Sequence, residues 1–168
     1  MAIVTTAGIL VLVAAQIYAA GKDFVTYTIP NRISLALIAA FPVFAVAAGF
    51  TLAQFGVHVA VGAGVLGVTF ALFAFGWLGG GDAKLVAATA LWFGPDVAVY
   101  LFAAALAGGL LSLAVLSLRQ MPLPILIGRP WLDRIMDPKS GIPYGVALAA
   151  GALYTLPHSD LWRLAGLG

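Results

Sequence analysis

Long apolar runs, separated by short polar or glycine-rich stretches, set the plan of this chain. A bilayer core is about 30 Å thick and takes about 20 apolar residues per spanning helix. Six runs are candidates: residues 2–20, 33–50, 57–77, 83–93, 97–118 and 142–156. The fourth is short. The period-two alternation of a membrane β-barrel is absent. The pattern predicts an all-α fold, a polytopic membrane protein with six transmembrane helices. No repeat, low-complexity tract or linker interrupts it, so residues 1–168 read as one membrane-embedded domain.

Composition sharpens this picture. Of 168 residues, 63% are apolar and 8% charged, and the mean hydropathy is +1.10. Soluble domains are roughly a quarter charged. Eight Lys/Arg and six acids cannot clothe a soluble globule of this size. Soluble enzymes, nucleic-acid binders and disordered linkers are therefore excluded. The absence of Cys removes disulfides, thiolate zinc sites and cysteine nucleophiles.

The positions of the charges predict the orientation better than the net +2 does. With the connections after the first, third and fifth runs in the cytoplasm, that side holds Lys22, Arg32, Lys84, Arg119, Arg129, Arg134 and Lys139. Arg163 alone falls outside. Such an excess is the positive-inside signal, and it puts both termini outside. The first run has no basic residue before it, the reverse of a secretory leader, so a retained helix is expected. The 119–141 connection contains Pro122, Pro124, Pro130 and Pro138, which exclude one continuous helix. Trp131 beside Asp133 and Arg134 predicts a segment on the membrane surface.

All six acids are aspartates. Asp96, Asp133, Asp137 and Asp160 fall in polar connections or near the C-terminus and read as solvated. His58 and His158 fall at external helix ends, where interfacial hydrogen bonding explains them. Asp23 and Asp82 are different. Asp23 follows the first helix in Gly21-Lys22-Asp23. Asp82 closes Gly79-Gly80-Gly81-Asp82 and opens the fourth helix. The run after Asp82 covers under about 20 Å at 1.5 Å per residue, so its glycines dip below the interface. A carboxylate there costs about 2.5–3.5 kcal/mol on insertion scales and is a functional candidate. The plainer readings are a helix N-cap for Asp82 and an interfacial acid beside Lys22 for Asp23.

At these residues the sequence resembles the type IV prepilin peptidase family, membrane aspartyl proteases with a GxGD motif. The motif reads Gly79-Gly80-Gly81-Asp82-Ala83-Lys84-Leu85. An Asp after helix 1, followed by Ile29-Pro30-Asn31 opening helix 2, matches a second landmark. Ile142-Pro143-Tyr144-Gly145 and the compact size are similar to the short peptidases serving Flp (tight-adherence) pili. The chain lacks the cysteine-bearing N-terminal region of longer members, and nothing in it looks like a methyltransferase site.

The resemblance implies an aspartic-type endopeptidase of the bacterial inner membrane, with its active site at the cytoplasmic face. Its substrate is a prepilin whose apolar segment lies in the bilayer and whose short basic leader, ending in Gly, lies in the cytoplasm. Asp23 and Asp82 are the expected catalytic pair, with no metal and no cofactor. Two neighbouring carboxyls sharing one proton can activate water and polarise a carbonyl. Asp82 at a helix N-terminus is favoured as the anion and Asp23 at a helix C-terminus as the acid. Gly79, Gly80 and Gly81 could admit an extended substrate backbone, or merely link two helices. Lys84 could hold Asp82 ionised, meet an acidic substrate side chain, or snorkel to the surface. Asn31 starts helix 2 and could also reach the site. The competing function is a small transporter in which the same acids carry cations or protons. A non-catalytic scaffold is a third.

Overall fold

The computed structural model describes residues 2–121 and 130–166. Pro122, Pro124 and Arg129 lie outside the described residues. Helices account for most of what is described, with no strand among those residues. They are α1 (Ala2–Thr26), α2 (Asn31–Ala47), α3 (Leu52–Ala74), α4 (Gly80–Phe93), α5 (Val97–Arg119), α6 (Pro130–Met136), α7 (Tyr144–Thr155) and α8 (Asp160–Leu164). Short 3-10 turns at Gly94–Asp96 and Leu156–His158 join α4 to α5 and follow α7. Three stretches are long and apolar enough to cross a bilayer: Ile3–Thr26, Leu52–Ala74 and Gly80–Arg119, the last containing the α4–α5 turn.

Local hydrogen bonds set the helix ends, and two of them lie about five or six residues from where hydropathy puts them. α1 runs past Ala20 to Thr26, so Asp23 lies inside its last turns rather than after it. The Thr26 hydroxyl donates to Lys22 O (2.7 Å) and holds that turn. The Tyr27 N–H then donates to Asp23 O (2.8 Å) with Tyr27 at φ +54°, a left-handed stop that a bulky residue rarely adopts. α3 starts five residues earlier than its apolar run. Thr51 and Gln54 form a capping box there: Gln54 N–H donates to Thr51 Oγ1 (3.2 Å), and Thr51 N–H donates to Gln54 Oε1 (2.8 Å). Residues 52–56, between the second and third apolar runs, therefore form the first turn of α3. α6 occupies part of the connection expected to lie at the surface, and α8 adds a helix the hydropathy pattern does not show.

The short helix α4 is the axis of the bundle. From Leu85 to Phe93 every residue is buried. α3, α2 and α7 pack around it, while α5 and α1 clasp α7. Trp92 of α4 donates its indole N–H to Leu37 O (3.0 Å) and packs on Phe41 and Phe44. Gln16 of α1 donates to the Thr89 hydroxyl (2.7 Å), which donates to Leu85 O (2.7 Å). α5 and α7 cross at Gly151, where an added Cβ would lie 2.6 Å from Ala104 N, so backbone meets backbone.

The outer helices bury only narrow stripes. α1 buries Thr5, Ile9, Leu12, Gln16, Ala19 and Asp23, and α5 buries Tyr100, Ala104, Gly108 and Val115. Ile3, Leu52, Val46 and Phe102 are among many large apolar side chains left mostly exposed. Water does not tolerate so large an apolar surface; hydrocarbon does. The chain is a membrane protein.

Candidate active site

The site is built from the ends of three helices. The last turns of α1 carry Asp23, which is 5% exposed. The first turn of α7 brings Gly145, whose N–H donates to Asp23 Oδ2 (2.7 Å). This approach needs glycine: a Cβ on residue 145 would lie 2.8 Å from Asp23 Cβ and 2.9 Å from Oδ2. A backbone N–H can only donate, so Oδ2 is held as an acceptor. Any proton on Asp23 therefore sits on Oδ1.

Asp82 lies in the first turn of α4 and is half-buried. The N-cap residue of that helix is Gly79, and no side chain caps it. Capping therefore does not explain Asp82. Its carboxyl folds back toward Gly79, where a Cβ would lie 2.7 Å from Oδ2. The three glycines each make room for a neighbour in the same chain: Asp82 at Gly79, Phe73 at Gly80 and Ile29 at Gly81. At Gly81 the neighbour includes backbone, since a Cβ would lie 3.1 Å from Ile29 Cβ and 3.4 Å from Ile29 N and O.

Ile29 is the wedge that joins the two halves. The same side chain would touch a Cβ on Gly145 at 2.9 Å. It thus sits against the first turn of α4 and the first turn of α7 together. Asp23 and Asp82, 59 positions apart in the chain, come to one end of the bundle. Both carboxyls also meet a helix N-terminus, Asp82 that of its own α4 and Asp23 that of α7. The dipole argument that favours Asp82 alone as the anion loses its basis, because α7 offers Asp23 the same positive end.

Lys84 turns to α2, donating from Nζ to Asn31 Oδ1 (3.0 Å). Among the described residues the ion pair within 4.0 Å is Arg163–Asp160 (3.2 Å), so Lys84 is not paired with Asp82. Tyr144 lies over Gly108 of α5, where a Cβ would meet its Cε1 at 2.6 Å. The remaining acids and histidines have other tasks. Asp96 accepts from Asp160 N–H at the start of α8 (2.9 Å), and Asp137 accepts from Lys139 N–H (2.9 Å). His58 lies within α3 rather than at its end, 8% exposed, with Nδ1 on Leu91 O (2.9 Å) and its ring stacked on Phe41. His158 Nδ1 meets Tyr154 O (3.0 Å). Among the described residues no three His, Cys, Asp or Glu side chains converge as a metal centre requires.

Several residues around the pair have contacts that their sequence signals, a cytoplasmic charge or a surface segment, do not foretell. Arg119 donates to Ile135 O (2.7 Å), Ser140 O (2.9 Å) and Gly141 O (3.0 Å). Arg134 donates to Val25 O (2.9 Å), and Trp131 packs on Phe24 with ring centroids 5.6 Å apart. These contacts lash α6 to the end of α1, and lash Ile135 and the 140–141 stretch to the end of α5, just before α7 begins. Tyr27 lies among them with its hydroxyl buried. Burial pushes its phenol above the usual value, Asp23 adds to that, and the Arg119 and Arg134 cations oppose it. The Ile142–Gly145 motif marks this region in the sequence, but not that its last N–H grips Asp23.

In this all-helical membrane protein the two acids come to one end of the bundle. The family model of the type IV leader peptidases matches residues 10–113. That is more than half of the chain, and the chain belongs to the type IV leader peptidase family. The matched stretch contains Asp23 and Asp82; Gly145 lies beyond it. No curated protein and no solved structure matches the chain. The protein is accordingly a membrane peptidase.

Proposed function

We propose that the chain is an aspartic-type endopeptidase that removes the short basic leader of a prepilin of the Flp type. α1–α5 and α7 are its six transmembrane helices, with both termini outside. The Asp pair sits at the cytoplasmic face of the bacterial inner membrane. The cations clustered at the site end, Arg119 and Arg134 near Asp23 and Lys84 beside Asn31, support that orientation. The observation that carries the reading is that Ile29 packs on both Gly81, the neighbour of Asp82, and Gly145, whose N–H holds Asp23.

The pair shares one proton. The ionised carboxyl takes a proton from water, and the resulting hydroxide attacks the carbonyl carbon of the leader's last Gly. The protonated carboxyl donates to the carbonyl oxygen as it becomes an oxyanion. On collapse, the C–N bond breaks and a carboxyl proton passes to the departing amine. Gly145 fixes Asp23 Oδ2, so Asp23 exchanges its proton through Oδ1. Gly81 serves this arrangement by letting Ile29 seat against α4. Lys84 and Asn31 stand on the substrate side. No metal or cofactor enters the reaction.

The test replaces each acid by Asn, an isostere that cannot accept the water proton. Either variant should lose leader removal, read by gel shift after co-expression with a prepilin, while still binding it. Full processing by either variant refutes the reading. A variant that processes prepilin but loses ion flux makes the protein a transporter.

A further inference from the structure

Asp23 and Asp82 can face each other only while α1 and α4 hold their relative height along the bundle. These helices run antiparallel, since α1 ends and α4 begins where the acids lie. They share neighbours, because α2 and α7 each pack on both. A hydrogen bond joins them directly: Gln16 Nε2 donates to Thr89 Oγ1 (2.7 Å), and both residues are fully buried. Gln16 lies seven residues before Asp23, and Thr89 seven residues after Asp82. Seven residues span about 10 Å of helix and return to within about 20° of the same face. The bond therefore stands two turns deeper than each acid, on the face of each helix that carries the acid.

We infer that the Gln16–Thr89 bond is a crossbar that sets the register of α1 against α4 and so positions Asp23 level with Asp82. The catalytic half of this inference rests on the peptidase reading; the register half does not. Apolar contacts alone set no height, because an oily helix sliding past oily neighbours exchanges one such contact for another. A slip of one residue moves Asp23 about 1.5 Å along the axis and about 100° around it. A directional bond of fixed length resists that slip. Its acceptor is itself held, since the Thr89 hydroxyl donates to Leu85 O (2.7 Å). The bond is also a poor way to gain stability. The amide's Oε1 is buried without a partner, and a buried polar atom left unpaired is costly. An apolar pair of similar volume would pack without that loss. In coiled coils a single buried polar residue fixes register at such a cost. Gln16 and Thr89 are positioning residues, two turns from the chemistry.

Height and chemistry can be read separately. Gln16→Leu removes the crossbar and the unpaired Oε1, and leaves the Thr89 hydroxyl its bond to Leu85 O, so the variant should melt near wild type. The chain contains no cysteine, so introduced ones report without background. Asp23→Cys with Asp82→Cys is treated with dibromobimane, which fluoresces once it has bridged two thiols. Adding Gln16→Leu should lower the bridging rate about tenfold, the effect of a one-residue slip. Gly62→Cys with Leu91→Cys is the reference, at an α3–α4 contact where a Cβ on residue 62 would lie 3.0 Å from Leu91 Cβ. That pair should bridge equally with and without Gln16→Leu. Unchanged bridging of the 23–82 pair overturns the inference. So does an equal loss at both pairs, which means that the bundle has merely loosened.

With both acids intact, Gln16→Leu should lower kcat for leader removal about tenfold or more, with KM within about twofold. A kcat within twofold of wild type, or a loss carried by KM alone, overturns the positioning role. Thr89→Val should lower kcat as Gln16→Leu does. Thr89→Ser, which restores the hydroxyl, should recover most of that loss; a Ser variant as slow as the Val variant also overturns the inference. If bridging falls with Gln16→Leu while the parent protein leaves prepilin uncut, the peptidase reading fails and the register stands.

Discussion

Gly145→Ala is the sharpest perturbation the site offers. The added methyl would lie 2.8 Å from Asp23 Cβ and 2.9 Å from Oδ2, against about 3.4 Å for ordinary contact. Asp23 or the first turn of α7 must yield by about half an ångström. A 2.7 Å hydrogen bond stretched by that much is pushed to the weak, long edge of its range, about 3.2 Å. A hydrogen bond to a charged group contributes about 1.5–3 kcal/mol, which is roughly 10- to 150-fold in rate if all of it is realised in the transition state. Misplacing a catalytic group by about 1 Å costs about 10²-fold. Both routes predict a fall in kcat of about 10²-fold. The assay is the initial rate of leader removal at saturating prepilin, with thermal unfolding of the purified variant to show that it folds. Gly21→Ala is the control. It is two residues from Asp23, yet a Cβ there meets nothing within 4 Å. That variant should cleave within twofold of wild type and gain up to about 1 kcal/mol from helix propensity. If Gly145→Ala cleaves within threefold of wild type, Gly145 does not position Asp23.

Other perturbations read other parts of the argument. Gly81→Val presses a branched side chain onto the Ile29 backbone and should abolish cleavage in a protein that still inserts, checked by protease protection; unaltered turnover would make the glycines a simple link. Arg119→Ala removes the donor for three backbone carbonyls. It should lower stability on the order of 2 kcal/mol and raise hydrogen exchange at 137–143, with Arg119→Lys restoring part of it. Thr89→Val takes away the acceptor of the buried Gln16 amide and should cost about 1–3 kcal/mol in thermal unfolding. Adding Gln16→Leu should recover part of that loss, since neither polar partner is then left unpaired.

The acids stand out in the sequence because they are so few. In hydrocarbon a charge is costly, so Asp23 and Asp82 attract notice without any structure. Their neighbours do not. Ile29 is one more apolar residue in an apolar chain, and Gly145 one of 20 glycines. Arg119 reads as a cytoplasmic marker but acts as a clamp on three carbonyls. The start of α3 was within reach of the sequence, because Thr51 and Gln54 have the capping-box spacing, although hydropathy alone points past them. The end of α1 was not, because it depends on Tyr27 taking a left-handed conformation that its side chain disfavours.

Hydropathy and charge by themselves determined that the chain lives in a membrane, that it is helical and where most of its helices run. The reason is that an isolated backbone in lipid must satisfy its own hydrogen bonds, and a helix does so locally. Which face of each helix turns inward is another matter. Helices that are apolar all round carry no hydrophobic direction, because lipid and protein interior are equally oily. Packing of small residues decided it instead: α4 became the axis, and α7 came near enough for Gly145 to reach Asp23. The two acids are legible one at a time in the sequence. Their meeting around Ile29 is a property of the bundle.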